Sequence, residues 1–395
     1  MDRRQFLRAG AAGISAVGLS ACGAPPSRPT ASASAPQVPV KTGLFYPPPP
    51  SPPRVQYLAT FSGEADLAPK ASDFASFIVG EEVASQHLVQ PYGVEMFGGC
   101  IYVVDTAVPG IVVFDLAAQR MRTLLGAGGG TMKRPINVTI AADGTKYVCD
   151  TGRDQVLVYD RDDTFVTAFG APEQFRPVDC AINGELLYVV DIAHHQVQVL
   201  DRTSGIVEFA FGKAGSALGE LFHPTNLAIN AAGDVFVVET SNFRVQRFSA
   251  RGEALTTYGS IGDGPGHFAR PKGIAIDRTG HIYVGDSAFQ NVQVFDDSGQ
   301  LLMSFGQPEG SFSGLNLPAA VAIDYDDLNL FQGYLATGFQ LEHVVLVTSQ
   351  FGPNKVDVFG YGTMRGYDYS PLQPTSPPAT SRQDAADVHG RPQAT

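Results

Sequence analysis

The sequence contains no apolar run long enough to cross a bilayer, which takes about 20 residues. It is also poor in charge: Asp, Glu, Lys and Arg make up 17% of the chain, with a formal net charge of -12. Phosphate backbones need a basic surface, so nucleic acid is excluded as a partner. Four cysteines occur, Cys22, Cys100, Cys149 and Cys180, and no two have Cys-x-x-Cys spacing. Neither a zinc site nor a thioredoxin-like site is supported, and the expectation is buried apolar thiols. No Gly-x-Ser-x-Gly elbow, His-Glu-x-x-His pair or P-loop is present. The glycine-rich pieces at 126–130 and 262–266 read as connectors that need positive φ, not as phosphate loops. What remains is 44% hydrophobic, enough for a globular chain.

The first residues read Met1-Asp2-Arg3-Arg4-Gln5-Phe6-Leu7-Arg8, followed by a short Ala/Gly-rich stretch and Leu19-Ser20-Ala21-Cys22. A charged start, a short apolar middle and small residues before a break describe a signal peptide. Arg3 and Arg4 resemble the twin-arginine export signal of bacteria. The segment ending in Cys22 resembles a lipobox, which implies acylation of that cysteine. Residues 1–22 are therefore expected to be a signal peptide and 23–53 a Pro/Ala/Ser-rich tether in extended geometry. Residues 361–395 are expected to be a disordered, Pro-rich tail. The implied location is the bacterial cell envelope, on its periplasmic face, outer membrane or cell surface. The lipid would be the only membrane attachment.

Between tether and tail one pattern recurs. A proline opens each copy, at Pro91, Pro135, Pro177, Pro224, Pro271 and Pro318, with spacings of 44, 42, 47, 47 and 47. Each copy holds short β-rich runs separated by Gly, Asp and Ser turns. The second run ends in an acid in five copies, Asp105, Asp150, Asp191, Glu239 and Asp286, and in Ser349 in the sixth. These acids read as turn-cappers that repeat because the unit repeats. A period of 40–50 residues with four strands per unit is the signature of a β-propeller. The fold class expected is all-β: a six-bladed propeller over 54–360. The segment 55–62 would supply the last strand of the sixth blade and so close the ring.

The pattern resembles the NHL repeat family, with the clearest hairpin at 239–248. Alternating strands put the second-to-third hairpins and the blade-to-blade connectors on one face. That face is expected to present Arg153, His194, His195, Phe243, Phe289 and Phe351 to a partner. In blade six a long apolar loop, 325–342, is expected on the opposite face as a second contact surface or a plug. The hairpin around His194-His195 is similar to a zinc-histidine hairpin in the peptidyl-hydroxyglycine amidating lyases. That resemblance implies a metal ligand at His195. Those lyases take two further histidines just after the opening proline. Here the positions hold Tyr92, Ile136, Val178, Thr225, Lys272 and Ala319, so a three-histidine site is not supported.

The function expected is therefore a non-catalytic binding or scaffold propeller without a cofactor, zinc or calcium being the ions to consider. Its partner would be a protein, peptide or glycan in the cell envelope. The likeness to exported NHL lipoproteins suggests a cell-surface cytochrome system. The alternative is a metal-dependent lyase or lactonase-like enzyme that uses the central channel.

Overall fold

The computed structural model describes residues 43–67, 86–306 and 314–369 of the 395-residue chain. Arg3, Arg4, Cys22, most of the expected tether and the tail from 370 onward lie outside the described residues.

The strands run in chain order as follows. β1 (Phe45–Tyr46) and β2 (Val55–Phe61) precede the repeats. Blade one holds β3 (Pro91–Phe97), β4 (Cys100–Asp105), β5 (Gly110–Asp115) and β6 (Arg120–Leu124). Blade two holds β7 (Pro135–Ile140), β8 (Lys146–Asp150), β9 (Gln155–Tyr159) and β10 (Phe165–Phe169). Blade three holds β11 (Pro177–Asn183), β12 (Leu186–Asp191), β13 (Gln196–Asp201) and β14 (Val207–Phe211). Blade four holds β15 (Pro224–Ile229), β16 (Val235–Glu239), β17 (Arg244–Phe248) and β18 (Ala254–Tyr258). Blade five holds β19 (Pro271–Ile276), β20 (Ile282–Asp286), β21 (Asn291–Phe295) and β22 (Leu301–Phe305). Blade six is completed by β23 (Pro318–Asp324), β24 (Phe339–Ser349) and β25 (Val356–Met364).

Each blade is an antiparallel sheet in sequence order, and the sixth runs β1-β2-β25-β24-β23. The first strands of the six blades neighbour one another around a central axis, with β23 returning to β3. The expected closure is present: β2 pairs antiparallel with β25, Tyr57 opposite Phe359 and Phe61 opposite Val356. Six apolar clusters fill the six spaces between adjacent blades. Because both faces of a blade are covered, the second strands are largely apolar up to their closing residue, and β16 and β20 are buried along their whole length. Alternate residues point to opposite neighbours: Val235 and Val237 face blade three, whereas Phe236 and Val238 face blade five.

The recurring acid is a clasp. Each of the five is fully buried. Asp286 accepts backbone N–H bonds from Ala269 and Arg270 in the connector before its blade, and from Ala288 and Phe289 in its own hairpin. Asp150 does the same with Lys133, Arg134, Gly152 and Arg153. In blade six the shorter Ser349 hydroxyl accepts the Asn316 N–H. The turn-capping expectation holds, and the acid also ties each hairpin to its connector.

The ordered sheet is wider than the span 54–360 expected from the repeats. β1 lies inside the expected tether, where Tyr46 is buried against the Phe305 and Phe359 rings. β25 continues into the expected tail, and the Tyr369 hydroxyl donates to the Pro53 carbonyl at 2.6 Å. The 325–342 loop is corrected as well. It carries a short 3-10 turn, Leu328–Tyr334, whose Phe331 is fully buried in the cluster between blades six and one. Asp327 accepts the Gly99 N–H at 2.8 Å. The loop is a strut between two blades, and only Tyr334 among its large apolar residues is well exposed. Cys100, Cys149 and Cys180 are free thiols, the last two buried. No helix among the described residues is long and apolar enough to cross a membrane.

Candidate functional site in the central channel

The first strand of every blade runs along the axis, so its residues line the channel. At the third position of these strands stand Gly93, Asn137, Asp179, Asn226, Gly273 and Ala320. Three successive blades thus supply an amide, a carboxylate and an amide. The other half of the ring is small, and has to be. A Cβ at Gly93 would lie 2.2 Å from Asn137 Oδ1, and one at Gly273 would strike the Ala320 backbone.

Asp179 sits at the centre of this belt and is buried. Its Oδ1 accepts from Asn137 Nδ2 at 2.7 Å and from the Cys180 N–H at 2.9 Å. Its Oδ2 accepts from Asn226 Nδ2 at 3.2 Å and from the Leu227 N–H at 3.0 Å. Burial nevertheless outweighs these donors and pushes its carboxyl up to about 7. Asn226 Oδ1 is buried and has no hydrogen-bond partner. Two residues further along β3, Glu95 lines the same cavity of about 230 Å³. Burial, reinforced by Asp179 and Asp324, raises its carboxyl to about 8. Lys272, in the second position of β19, donates to Gln350 Oε1 at 3.1 Å and lies over the Tyr92 ring. Burial, and then Arg270, bring its ammonium down to about 8. Strand direction places Lys272 and Tyr92 toward the connector side of the channel and Asp324 toward the other end.

These residues escaped a reading directed at the second repeat position, where histidines were sought. The signal was one residue on: Asn137, Asp179 and Asn226 share one register, 42 and 47 residues apart. Among the described residues no group of three or more His, Cys, Asp or Glu side chains is placed to hold a metal. The channel donors include two amides, and all offer oxygen. Two carboxylates and two amide oxygens, one of them (Asn226 Oδ1) buried without a partner, suit a hard cation such as Ca²⁺ or Mg²⁺, not Zn²⁺.

The residues expected on the hairpin face do share it, but most of them brace it. His195 and Phe243 occupy the fourth position after the clasp acid, the left-handed slot that Asp154 and Gln290 fill in other blades. His195 Nδ1 accepts the His223 N–H, and its ring stacks on Phe222 at 5.1 Å. His194 Nδ1 lies 2.6 Å from Asp191 Oδ2. Arg153 donates to the Thr131 carbonyl and to Gln155. Phe243 packs against the cluster between blades four and five, and Phe289 is half-buried beside Pro265. Phe351 is 53% exposed. The connectors of the same face add Val89, Leu125, Leu218, Phe222 and Ile261, all well exposed, which sequence reading passed over.

Residues 268–295, which span β19 to β21, match the NHL repeat. No curated protein matches the chain in sequence. Among solved structures, a gluconolactonase from Xanthomonas campestris shares 17% identity, with a TM-score of 0.51, over 69% of this chain and 86% of that one. A calcium-binding protein, regucalcin, from Agrobacterium tumefaciens shares 11% identity, with a TM-score of 0.50, over 78% and 96%. A Bacteroides thetaiotaomicron protein of unknown function shares 15%, with a TM-score of 0.54, over 78% and 75%. At such identities the likeness establishes the fold alone. The chain is a six-bladed β-propeller that carries an NHL repeat in its fifth blade.

Proposed function

We propose that the protein is a channel enzyme, a hydrolase of small cyclic esters that works beside a hard divalent cation. The observation that carries this reading is the buried carboxylate Asp179 flanked by two amides, with Glu95 in the same cavity. Asp179, Asn137 and Asn226 would hold the cation, the amides turning their oxygens inward. The cation would polarise the ester carbonyl. Glu95, with a carboxyl near 8, is matched to accept a proton from water at mildly alkaline pH. Lys272 and Tyr92 would orient the substrate at the connector end. The descriptions of the Xanthomonas and Agrobacterium propellers as a gluconolactonase and a calcium-binding protein support this class. The test is calorimetry with Ca²⁺ and Mg²⁺ at pH about 8, together with hydrolysis of aldonolactones. Wild type should bind and turn over. Asp179→Asn should lose at least about tenfold in cation affinity, since losing even a residue that only supports a ligand costs about that much. Absence of both binding and turnover in wild type would sink the proposal.

A second reading is favoured by Val89, Leu125, Leu218, Phe222, Ile261 and Phe351, which expose apolar surface on the connector face. There the ring would dock a protein of the cell envelope. Export through Arg3-Arg4 and lipid attachment at Cys22 belong to either reading.

A further inference from the structure

A second constellation lies on the face opposite the connectors, where blade five meets the closing blade. Arg54, Arg278, His281, His343, Tyr325 and Tyr361 surround a cavity of about 230 Å³. Its back wall is a fixed network. Asp277 Oδ2 accepts from His281 Nδ1 at 2.8 Å and from the Tyr283 hydroxyl at 3.2 Å, and Oδ1 accepts from Thr279. The Tyr283 hydroxyl also lies 3.2 Å from His343 Nε2, and the His343 ring stacks on Tyr361 at 4.7 Å. Arg278 lies over the Tyr325 ring at 4.0 Å, and Arg54 lies over Tyr369 at 4.3 Å.

The charge balance of this cavity differs from that of the acidic molecule around it. Asp277 is committed to His281, Thr279 and Tyr283, and its charge offsets that of a protonated His281, which leaves Arg54 and Arg278 as the unspent positive charges of the lining. Glu342, the other acid of the lining, is exposed. Arg278 approaches Asp326 only at 4.0 Å, both side chains being largely solvated, and such pairs are weak. Two guanidinium groups stacked on aromatic rings are held in place and keep their N–H edges available. His281, half-buried, lines the same cavity, its second nitrogen left unused by Asp277.

We propose that this cavity binds a small anion, a carboxylate or a phosphate-like group, held by Arg54, Arg278 and the protonated His281. The site is separate from the channel and does not depend on the channel reading. Asp277 and Asp296 favour the charged imidazole, whereas burial and Arg54 oppose it, and the balance raises His281 above its usual value. His343 is held well on the neutral side, its value brought down to about 4 by burial. Tyr325 and Tyr361 are pushed up and remain neutral. Glu342 and Arg278 complete the charged lining. Anion affinity should therefore fall as pH rises through the His281 transition.

The test is isothermal titration with sulfate, whose charge is constant over the range, and in parallel with acetate as the planar carboxylate. Saturable binding of either is expected, weakening at least threefold between pH about 6 and about 9. Arg54→Gln/Arg278→Gln should weaken it at least tenfold, and Asp179→Asn should leave it unchanged. Arg278→Gln alone, at an exposed turn, keeps the test alive if the double variant fails to fold, and should itself weaken binding severalfold. No saturable binding of either anion, undiminished binding by the arginine variants, or loss of binding in Asp179→Asn would each overturn the proposal.

Discussion

Buried carboxylates of this ring do different work according to where they stand, at a hairpin and its connector or on the channel wall. Asp286 and Asp150 each receive four backbone N–H bonds at a hairpin and connector. They are structural clasps. Asp179 and Glu95 face the channel, where burial dominates and holds both carboxyls high, about 7 and about 8. Their folded values lie above the ordinary 3.8 and 4.5, so between about pH 4 and pH 8 the folded state binds more protons than the unfolded one. Stability contributed by these two groups is complete below the ordinary carboxylate range and is lost as pH rises through about 7 to 8. Thermal melts from pH about 5 to about 9 should show a falling midpoint in that window, with a shallower fall in Glu95→Gln. Ca²⁺ should raise the midpoint at the alkaline end and do little at the acid end. An identical pH profile for Glu95→Gln would show that this carboxyl does not titrate there.

The connector face is the scale at which hairpin and loop compete for the same side chains. Arg153, His195 and Phe243 are consumed in bracing their own loops, and Phe222, Ile261 and Phe351 are among the aromatic and aliphatic side chains left on offer. Replacing these three by Ser should cost little stability, since exposed positions usually shift it by about 0.5 kcal/mol or less. Capture of an envelope partner in pull-downs from the native host should fall by more than tenfold, because a lost hot spot costs about 2 kcal/mol or more. Equal capture by both proteins would remove this face as the docking surface. The strands were legible because their period, turn residues and apolar runs repeat six times. β1 was not: it is two residues long, beside a proline run, and its place is set by Tyr46 finding Phe305 and Phe359 across the seam. Nor was the inward turn of Phe331, which depends on a gap between blades six and one that no local pattern displays. The Asn137–Asp179–Asn226 belt was written in register, but its meaning needs the ring that brings residues 42 and 47 apart onto one axis.

For the whole molecule, the proposed anchor at Cys22 can be tested apart from the fold. Cys22→Ser should move the protein from the membrane pellet to the soluble fraction while its melting behaviour stays the same. A variant that still sediments with membranes would exclude lipid at that cysteine. The closing seam has a consequence of another kind, in the order of synthesis. The Tyr57 hydroxyl meets Asp357 Oδ1 300 residues later in the chain, and among the described strands β2 pairs only with the two-residue β1 until β25 has been made. Five blades can assemble as they leave the ribosome, but the first strand waits through nearly all of translation with an open edge. The ring is thus completed only after β25 has been made. Carriage of the finished molecule, which the proposed export signal at Arg3-Arg4 would bring about, would keep the earliest and latest strands in one compartment until they have met.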